Sequence, residues 1–443
     1  MIFLNHKQKI FTLNVIISLI SSIFFRIIAI VFNGYITEKI GKEMLGEFNL
    51  VMSVYLFGIT LSNFGINFTV TKIVSEALAI GDKNSVKKFS KYCIFLSFIF
   101  GIIASLLFIT FDDFIIKKCL HSKTNKNVIY LICIALPFIS MSASISGYFT
   151  AVRKAYKSSI AYFFEQLIKI FVSIFLLNYC LKISLEHACF ALVLGDLISE
   201  IFSFVCNFVL YKLDSKKYLS NYTIKKSKKN FFKHILKISS PIAITAFLRS
   251  GLSTIRQLII PISFEKAIIS CSNSLSIYGE INGMALPIIL FPNVIFSSVS
   301  SLLIPEFSAY LATNNHSRIR HFTKLIITIS FFLAIATSLF LFSFSEKIGL
   351  LIYNDLSVSN YIKILSPIII FILLDCVIDS ILKGINAQND VMIINILDLF
   401  VNIIFIYFLI PKFGISGYII SMYFSEIFNL LLSFRKLFKI VYK

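Results

Sequence analysis

The chain has 443 residues, 57% of them hydrophobic and only 14% charged, with a mean hydropathy of +0.87. A soluble domain is about 45–50% apolar and about 25% charged, so a soluble globular protein is excluded. The formal net charge of +20 raises nucleic acid as a partner, but the placement of the basic residues along the chain accounts for it without one.

Apolar runs recur along the whole length, each near the roughly 20 residues that cross a bilayer as a helix. Strands of a membrane β-barrel would be short and alternating, so that architecture is excluded too. Twelve spans are predicted, at 10–36, 46–70, 90–110, 128–150, 158–180, 187–211, 236–262, 280–304, 323–344, 361–382, 391–410 and 414–434. The fold class expected is an all-α polytopic membrane protein.

Span one is too long for the apolar region of a signal peptide and carries Arg26, so no cleavable leader is expected. Asn14, Ser18, Ser22 and Arg26 follow at i, i+4 on it and form one polar stripe. On span five Glu165 and Lys169 are at i, i+4 and are expected to pair with each other. Asp196 and Glu200 share a face of span six. A lysine-rich stretch follows, including Lys225, Lys226, Lys228 and Lys229. It divides the chain into an N-terminal six-helix lobe at 1–211, a basic linker at 212–235 and a C-terminal six-helix lobe at 236–443. Span seven carries Arg249, Ser253 and Arg256 at i, i+4 and i+7. Pro241, Pro261, Pro287, Pro292 and Pro305 mark spans seven and eight as the place for broken helices. Asp375 and Asp379 are at i, i+4 on span ten, with Lys383 beyond. Asp398 shares a face of span eleven with Asn395 and Asn402.

With the N-terminus inside, and residues at span ends counted with the neighbouring loop, 27 of the 42 Lys and Arg fall on the inner side and 11 on the outer. The other four, Arg26, Lys169, Arg249 and Arg256, lie within spans. By the positive-inside rule both termini are expected in the cytoplasm. The basic charge then belongs to topology and anionic headgroups, and no nucleic acid is expected. The eight cysteines show no CxxC pairing and read as small buried hydrophobes. The six histidines have no ligand spacing, and no metal site is expected.

The two halves are related. Shifted by 233 residues, 46–91 lies on 279–324 without a gap, with Gly46-Glu47-x-Asn49 on Gly279-Glu280-x-Asn282. The same shift places Glu165 on Asp398. Ser199-Glu200-Ile201-Phe202 recurs as Ser425-Glu426-Ile427-Phe428. Six spans per half give both halves one orientation, so they are related by an axis along the membrane normal.

The three arginines inside spans are the sharpest pointer to function. A guanidinium at the bilayer centre costs roughly 2.5–3.5 kcal/mol on insertion scales and more by other estimates. It cannot lose its proton, and its planar fork suits phosphate or carboxylate. Arg26, Arg249 and Arg256, with Ser22 and Ser253 beside them, are the candidate substrate-binding residues for an anionic headgroup. Pairing with intramembrane carboxylates is the structural alternative. Glu165, Asp375, Asp379 and Asp398 are the candidate coupling or salt-bridge carboxylates.

Some stretches also carry a family resemblance. Phe247-Leu248-Arg249-Ser250-Gly251-Leu252-Ser253-Thr254 with Gln257 to Pro261, Tyr278 to Pro287, Ser300 to Glu306, and Gly147-Tyr148-Phe149 with Glu165-Gln166 resemble the stage V sporulation protein B-like polysaccharide flippases. These form a branch of the multidrug, oligosaccharidyl-lipid and polysaccharide (MATE-like) exporter superfamily. The resemblance runs along most of the chain and is densest at 245–310. It implies two six-helix lobes, alternating access, and flipping of an undecaprenyl-pyrophosphate-linked glycan across the bacterial cytoplasmic membrane. Members of this branch usually have fourteen spans where twelve are predicted here, so their path for the lipid tail is not carried over. A monomer is expected, with no cofactor other than Na+ or H+ as a coupling ion. An ion-coupled exporter of small amphipathic molecules is the alternative, although three cavity arginines speak against a cationic substrate. A membrane enzyme is not expected, because the outer loops are short and hold no nucleophile–base constellation.

Overall fold

The computed structural model describes residues 6–441 apart from 82, 121–124, 183–186, 217–230, 268–270 and 314. The side chains of 6–22, 83–85, 118–119, 231, 271–272, 299 and 301–302 also lie outside the description. Among the described residues there are helices and turns and no strand. Among the described residues, nine helices are long and apolar enough to cross a membrane, and a tenth candidate is the bent pair Leu356–Leu365 and Ile368–Gly384. Two of them each hold two of the predicted spans. His6–Asn63 is interrupted at Gly41 (φ 78°, ψ 173°), and Gln388–Val441 at Gly414 (φ 56°, ψ −130°). Both glycines have the positive φ that a side chain disfavours. Gly41 sits in the connection between predicted spans one and two, and Gly414 on the first residue of predicted span twelve.

The proline-rich pair behaves unevenly. Span seven stays helical over Phe231–Lys266, through Pro241 and Pro261. Span eight is broken into Cys271–Tyr278, a π-helical stretch Gly279–Ala285, Leu286–Ile289 and Phe291–Ala312. Pro287 and Pro292 lack the N–H groups that would bond the carbonyls of Gly283 and Ile288 one turn earlier. Two breaks arise where no proline was flagged. Span two ends its first helix at Phe64 and Gly65, both at positive φ (41° and 66°), and resumes as Ile66–Ala79. Span ten bends by 50° between its two helices.

The internal repeat reappears in backbone geometry. Span four, Lys126–Ala151, and the second half of span ten end in the same motif. Arg153 (φ 58°) and Asn386 (φ 65°) take the left-handed position 233 residues apart. The next amides reach back identically, Lys154 N to Phe149 O at 2.8 Å and Ala387 N to Leu382 O at 2.9 Å.

The chain forms two compact units, residues 50–254 and residues 1–49 with 255–443. These are not the sequence halves at 1–211 and 236–443, and most of the linker between those halves, 217–230, lies outside the described residues. In the unit 50–254, the start of span seven joins first-half helices. Ile235 sits in a core with Ile66, Val70, Val74, Tyr148, Phe149 and Tyr211. Gly65 lets the chain approach span seven closely; a Cβ there would lie 3.1 Å from Ser239 O. In the other unit, span one joins second-half helices. The repeat glycines Gly46 and Gly279 press on one another's helices; a Cβ on Gly46 would fall 2.2 Å from Leu275 O, and one on Gly279 2.2 Å from Lys42 O. Outward faces expose large apolar side chains such as Phe171 (76%) and Phe175 (68%), which suits hydrocarbon rather than water.

Candidate functional site

Span seven is read from its own packing. Thr60 Oγ1 donates to Ser250 Oγ at 3.0 Å, and Thr254 Oγ1 donates to Ser53 O at 3.1 Å. The side of the helix that bears Ser250 and Thr254 is therefore committed to span two. Arg249, Ser253 and Arg256 lie on a different side, with Arg249 exposed and Ser253 and Arg256 half-buried. Among the described residues neither Arg249 nor Arg256 has an ion-pair partner within 4.0 Å. Arg256 is near enough to Asp398 and Glu426 to act on both electrostatically. This face thus keeps guanidinium donors that the protein has not used.

Arg26 is different. Its Nη2 donates to the carbonyl of Pro287 at 3.3 Å. About two turns along, Asn33 Nδ2 donates to the carbonyl of Gly283 and to Tyr353 Oη, the latter at 3.3 Å. Gly283 O is the acceptor that Pro287 deprives of its helical donor, so span one caps the broken span eight. Arg26 Nε is buried without a hydrogen-bond partner among the described residues. Arg26 is accordingly shared between capping and any ligand. The side chains of Ser22, Ser18 and Asn14 lie outside the described residues.

The carboxylates form two sets. In the unit 50–254, Lys169 Nζ pairs with Asp196 Oδ1 at 2.7 Å. The expected pairing of Lys169 with Glu165 is corrected: the ammonium reaches across to span six, while Ser203 and Gln166 hydrogen-bond Glu165. Glu200 and Tyr55 lie in the same electrostatic neighbourhood. In the other unit, Asn429 Nδ2 donates to Asp375 Oδ2 at 3.1 Å and Ser425 Oγ to Asp398 Oδ1 at 2.5 Å. Asn395 Nδ2 lies 3.4 Å from Asp379 Oδ2, and Lys383 Nζ 3.3 Å from the same oxygen. Asp375 Oδ1 and Asn429 Oδ1 are buried without hydrogen-bond partners among the described residues. No three His, Cys, Asp or Glu side chains among the described residues converge in metal-ligand geometry.

Sequence reasoning passed over an ionic group at the other end of span one. Lys42 Nζ pairs with Glu280 Oε1 at 2.6 Å and also with Asp355. Asp355 caps the helix Leu356–Leu365 by accepting from Ser357 N at 2.8 Å. Its burial raises its pKa, but Lys42 and the Ser357 amide outweigh that and hold it below the usual value. The available signal was Glu280 in the repeated Gly-Glu-x-Asn motif. Glu426 and Asn429 were also missed, although Glu426 stands in the repeated Ser-Glu-Ile-Phe motif.

Residues 11–311, more than half of the chain, match the family described as polysaccharide biosynthesis protein. The chain belongs to that family. A second family, MatE, matches residues 267–408 of this family member. Stage V sporulation protein B of Bacillus subtilis (strain 168) is 20% identical over 396 residues, covering 88% of this chain and 76% of that protein. The fold is shared with a multidrug resistance MATE family transporter of the MOP superfamily in its inward-facing conformation, at a TM-score of 0.73 and 14% identity over 94% of each chain. It is shared as well with the lipid II flippase MurJ in an inward closed conformation, at a TM-score of 0.70 and 15% identity over 95% of this chain and 87% of that one. The polysaccharide biosynthesis protein described here is thus a multi-pass helical membrane protein with the MOP superfamily fold.

Proposed function

We propose that the protein is a flippase that moves an undecaprenyl-pyrophosphate-linked saccharide, either a peptidoglycan precursor or a polysaccharide repeat unit, across the bacterial cytoplasmic membrane by alternating access. It works as a monomer with both termini in the cytoplasm and performs no covalent chemistry. The observation that carries this reading is the Arg249–Ser253–Arg256 face, which retains its donors inside a span where a guanidinium is costly without an anion. A pyrophosphate with two anionic groups would engage both arginines through paired, charge-assisted hydrogen bonds. Arg26 contributes the donors not spent on Pro287. Family membership and the resemblance to stage V sporulation protein B support the substrate class.

The coupling ion, Na+ or H+, belongs to the carboxylates of Asp375, Asp379 and Asp398. Asp375 and Asp398 are served by amides and hydroxyls, and Lys383 pairs with Asp379. The test is flipping of the labelled lipid in proteoliposomes, with membrane insertion checked separately. Arg249→Ala and Arg256→Ala are each expected to abolish flipping in an inserted protein; full activity in both sinks the reading. A second reading, an ion-coupled MATE-type exporter of small amphipathic molecules, is favoured by the MatE match at 267–408 and the fold shared with a multidrug transporter. Drug resistance conferred on a pump-deficient host, with no lipid flipping, would select it.

A further inference from the structure

A groove of about 470 Å³ lies between the inner halves of spans two and seven, wholly within the unit 50–254. That size is in the range of ligand sites. Its upper limit is the close approach of Gly65 to Ser239 and Ile242. Below that point the two helices flank an open space. Phe68 and Ile242, joined by Ile238, make its apolar wall; Lys72, His234 and Lys237 supply basic groups, with Glu76 one turn nearer the water. The apolar wall lies toward the bilayer centre and the basic groups toward the helix ends that the charge distribution places inside. Lys72 is two residues past predicted span two, and Lys237 one residue into predicted span seven. That is the depth at which phosphate headgroups meet the hydrocarbon.

The groove also has a direction. On a helix of 100° per residue, His234, Ile238, Ile242, Arg249, Ser253 and Arg256 fall within an arc of about 100°. The groove wall therefore continues into the arginine face of the same helix. Arg249 stands roughly 10 Å above Ile242. The repeat does not copy the groove's charge: the residue equivalent to Lys72 in the second half is Pro305.

We propose that this groove is the inner-leaflet docking site for the pyrophosphate headgroup of the lipid substrate. Lys72, His234 and Lys237 hold the headgroup, and Phe68, Ile238 and Ile242 lie against the first isoprene units. From here the headgroup passes along span seven to Arg249. This rests on the flippase reading and adds an entry step to it.

The experiment uses the full chain in lipid nanodiscs and measures binding of undecaprenyl pyrophosphate, of phosphatidylglycerol and of inorganic pyrophosphate. The variants are Lys72→Gln/Lys237→Gln and the conservative Lys72→Arg/Lys237→Arg. The glutamine variant is expected to bind undecaprenyl pyrophosphate on the order of tenfold more weakly, the arginine variant to bind it as the wild type does, and phosphatidylglycerol binding to change little. A photo-crosslinker at Phe68 is expected to label the polyprenyl lipid. Unchanged binding in the glutamine variant overturns the docking site and leaves the flippase reading standing. Equal loss of phosphatidylglycerol makes the groove a general anionic-lipid contact and overturns the proposal, as does binding of inorganic pyrophosphate alone. Failure of the wild type to bind undecaprenyl pyrophosphate overturns the docking site together with the flippase reading.

Discussion

The two carboxylate sets share one repeat-equivalent position, Glu165 and Asp398, and are neutralised by different means. Glu165 and Asp398 correspond at a shift of 233, and four residues on, Lys169 corresponds to Asn402. In the unit 50–254, Lys169 brings its own cation, 2.7 Å from Asp196. In the other unit, Asn402 gives its Nδ2 hydrogen to Ser421 O at 3.2 Å, and Asp375 and Asp398 are met by Asn429 and Ser425. The first set thus holds the Lys169–Asp196 ion pair, whereas Asp375 and Asp398 accept from neutral donors, with Lys383 on Asp379 and Arg256 acting on Asp398 from nearby. A neutral donor supports a carboxylate without cancelling its charge. Under the coupling proposed above, the second set would exchange a proton or an alkali cation, whereas the first would have to displace a tethered ammonium.

The largest expected effect tests that contrast directly. Lys169→Ala leaves Asp196 buried and uncompensated, which costs about 3–5 kcal/mol, whereas Asn402→Ala costs about 1 kcal/mol. Unfolding in mixed detergent micelles reads both, and equal losses would erase the distinction. Next comes Ser425→Ala, which removes a hydrogen bond to a charged acceptor and is expected to cost about 2 kcal/mol. Ser203→Ala in the first set should cost less, because Lys169 still supports the carboxylates there. A Ser203→Ala loss as large as that of Ser425→Ala would show that the ammonium neutralises less than its geometry implies.

Transplanting the lysine sharpens the comparison further. Asn402→Lys installs an ammonium in the second set and is expected to reduce the Na+ or H+ dependence of transport at least about tenfold, roughly 1.4 kcal/mol. Flux measured against cation and pH gradients checks it, and undiminished dependence would remove the second set from coupling. The smallest effect concerns the Lys42–Glu280–Asp355 group. Asp355 titrates below its ordinary value of 3.8, so its contribution is fully present above about pH 4. It is lost as pH falls through the lowered value. Wild type should exceed Asp355→Asn by about 1 kcal/mol at pH 7 and by less near pH 3. A difference that grows toward acid would reverse the sign and discard the ion pair.

Much of this was legible in the chain. The glycine turn at Gly41 falls between predicted spans and that at Gly414 at the start of span twelve, and the repeat found in letters returns as the shared helix endings at Arg153 and Asn386. The arginine face of span seven follows from spacing alone. The partner of Lys169 did not, because i, i+4 spacing offers Glu165 on the same helix and says nothing of Asp196 on the next. Nor did the break at Phe64 and Gly65, since Phe64 takes a positive φ that its residue type does not advertise. Arg26 was read as a ligand group; that it also caps Pro287 depends on which helix lies beside it.

Hydropathy, which acts locally and needs no partner, determined that this is a polytopic helical membrane protein. The repeat determined that its halves are alike. Only the tertiary structure decided which span packs on which. Contacts of Arg26 with Pro287 and of Asn33 with Gly283 join span one to second-half helices, and packing at Gly65 and Ile242 joins the start of span seven to first-half helices. Such close approaches depend on atoms far apart in the chain, and no local pattern encodes them.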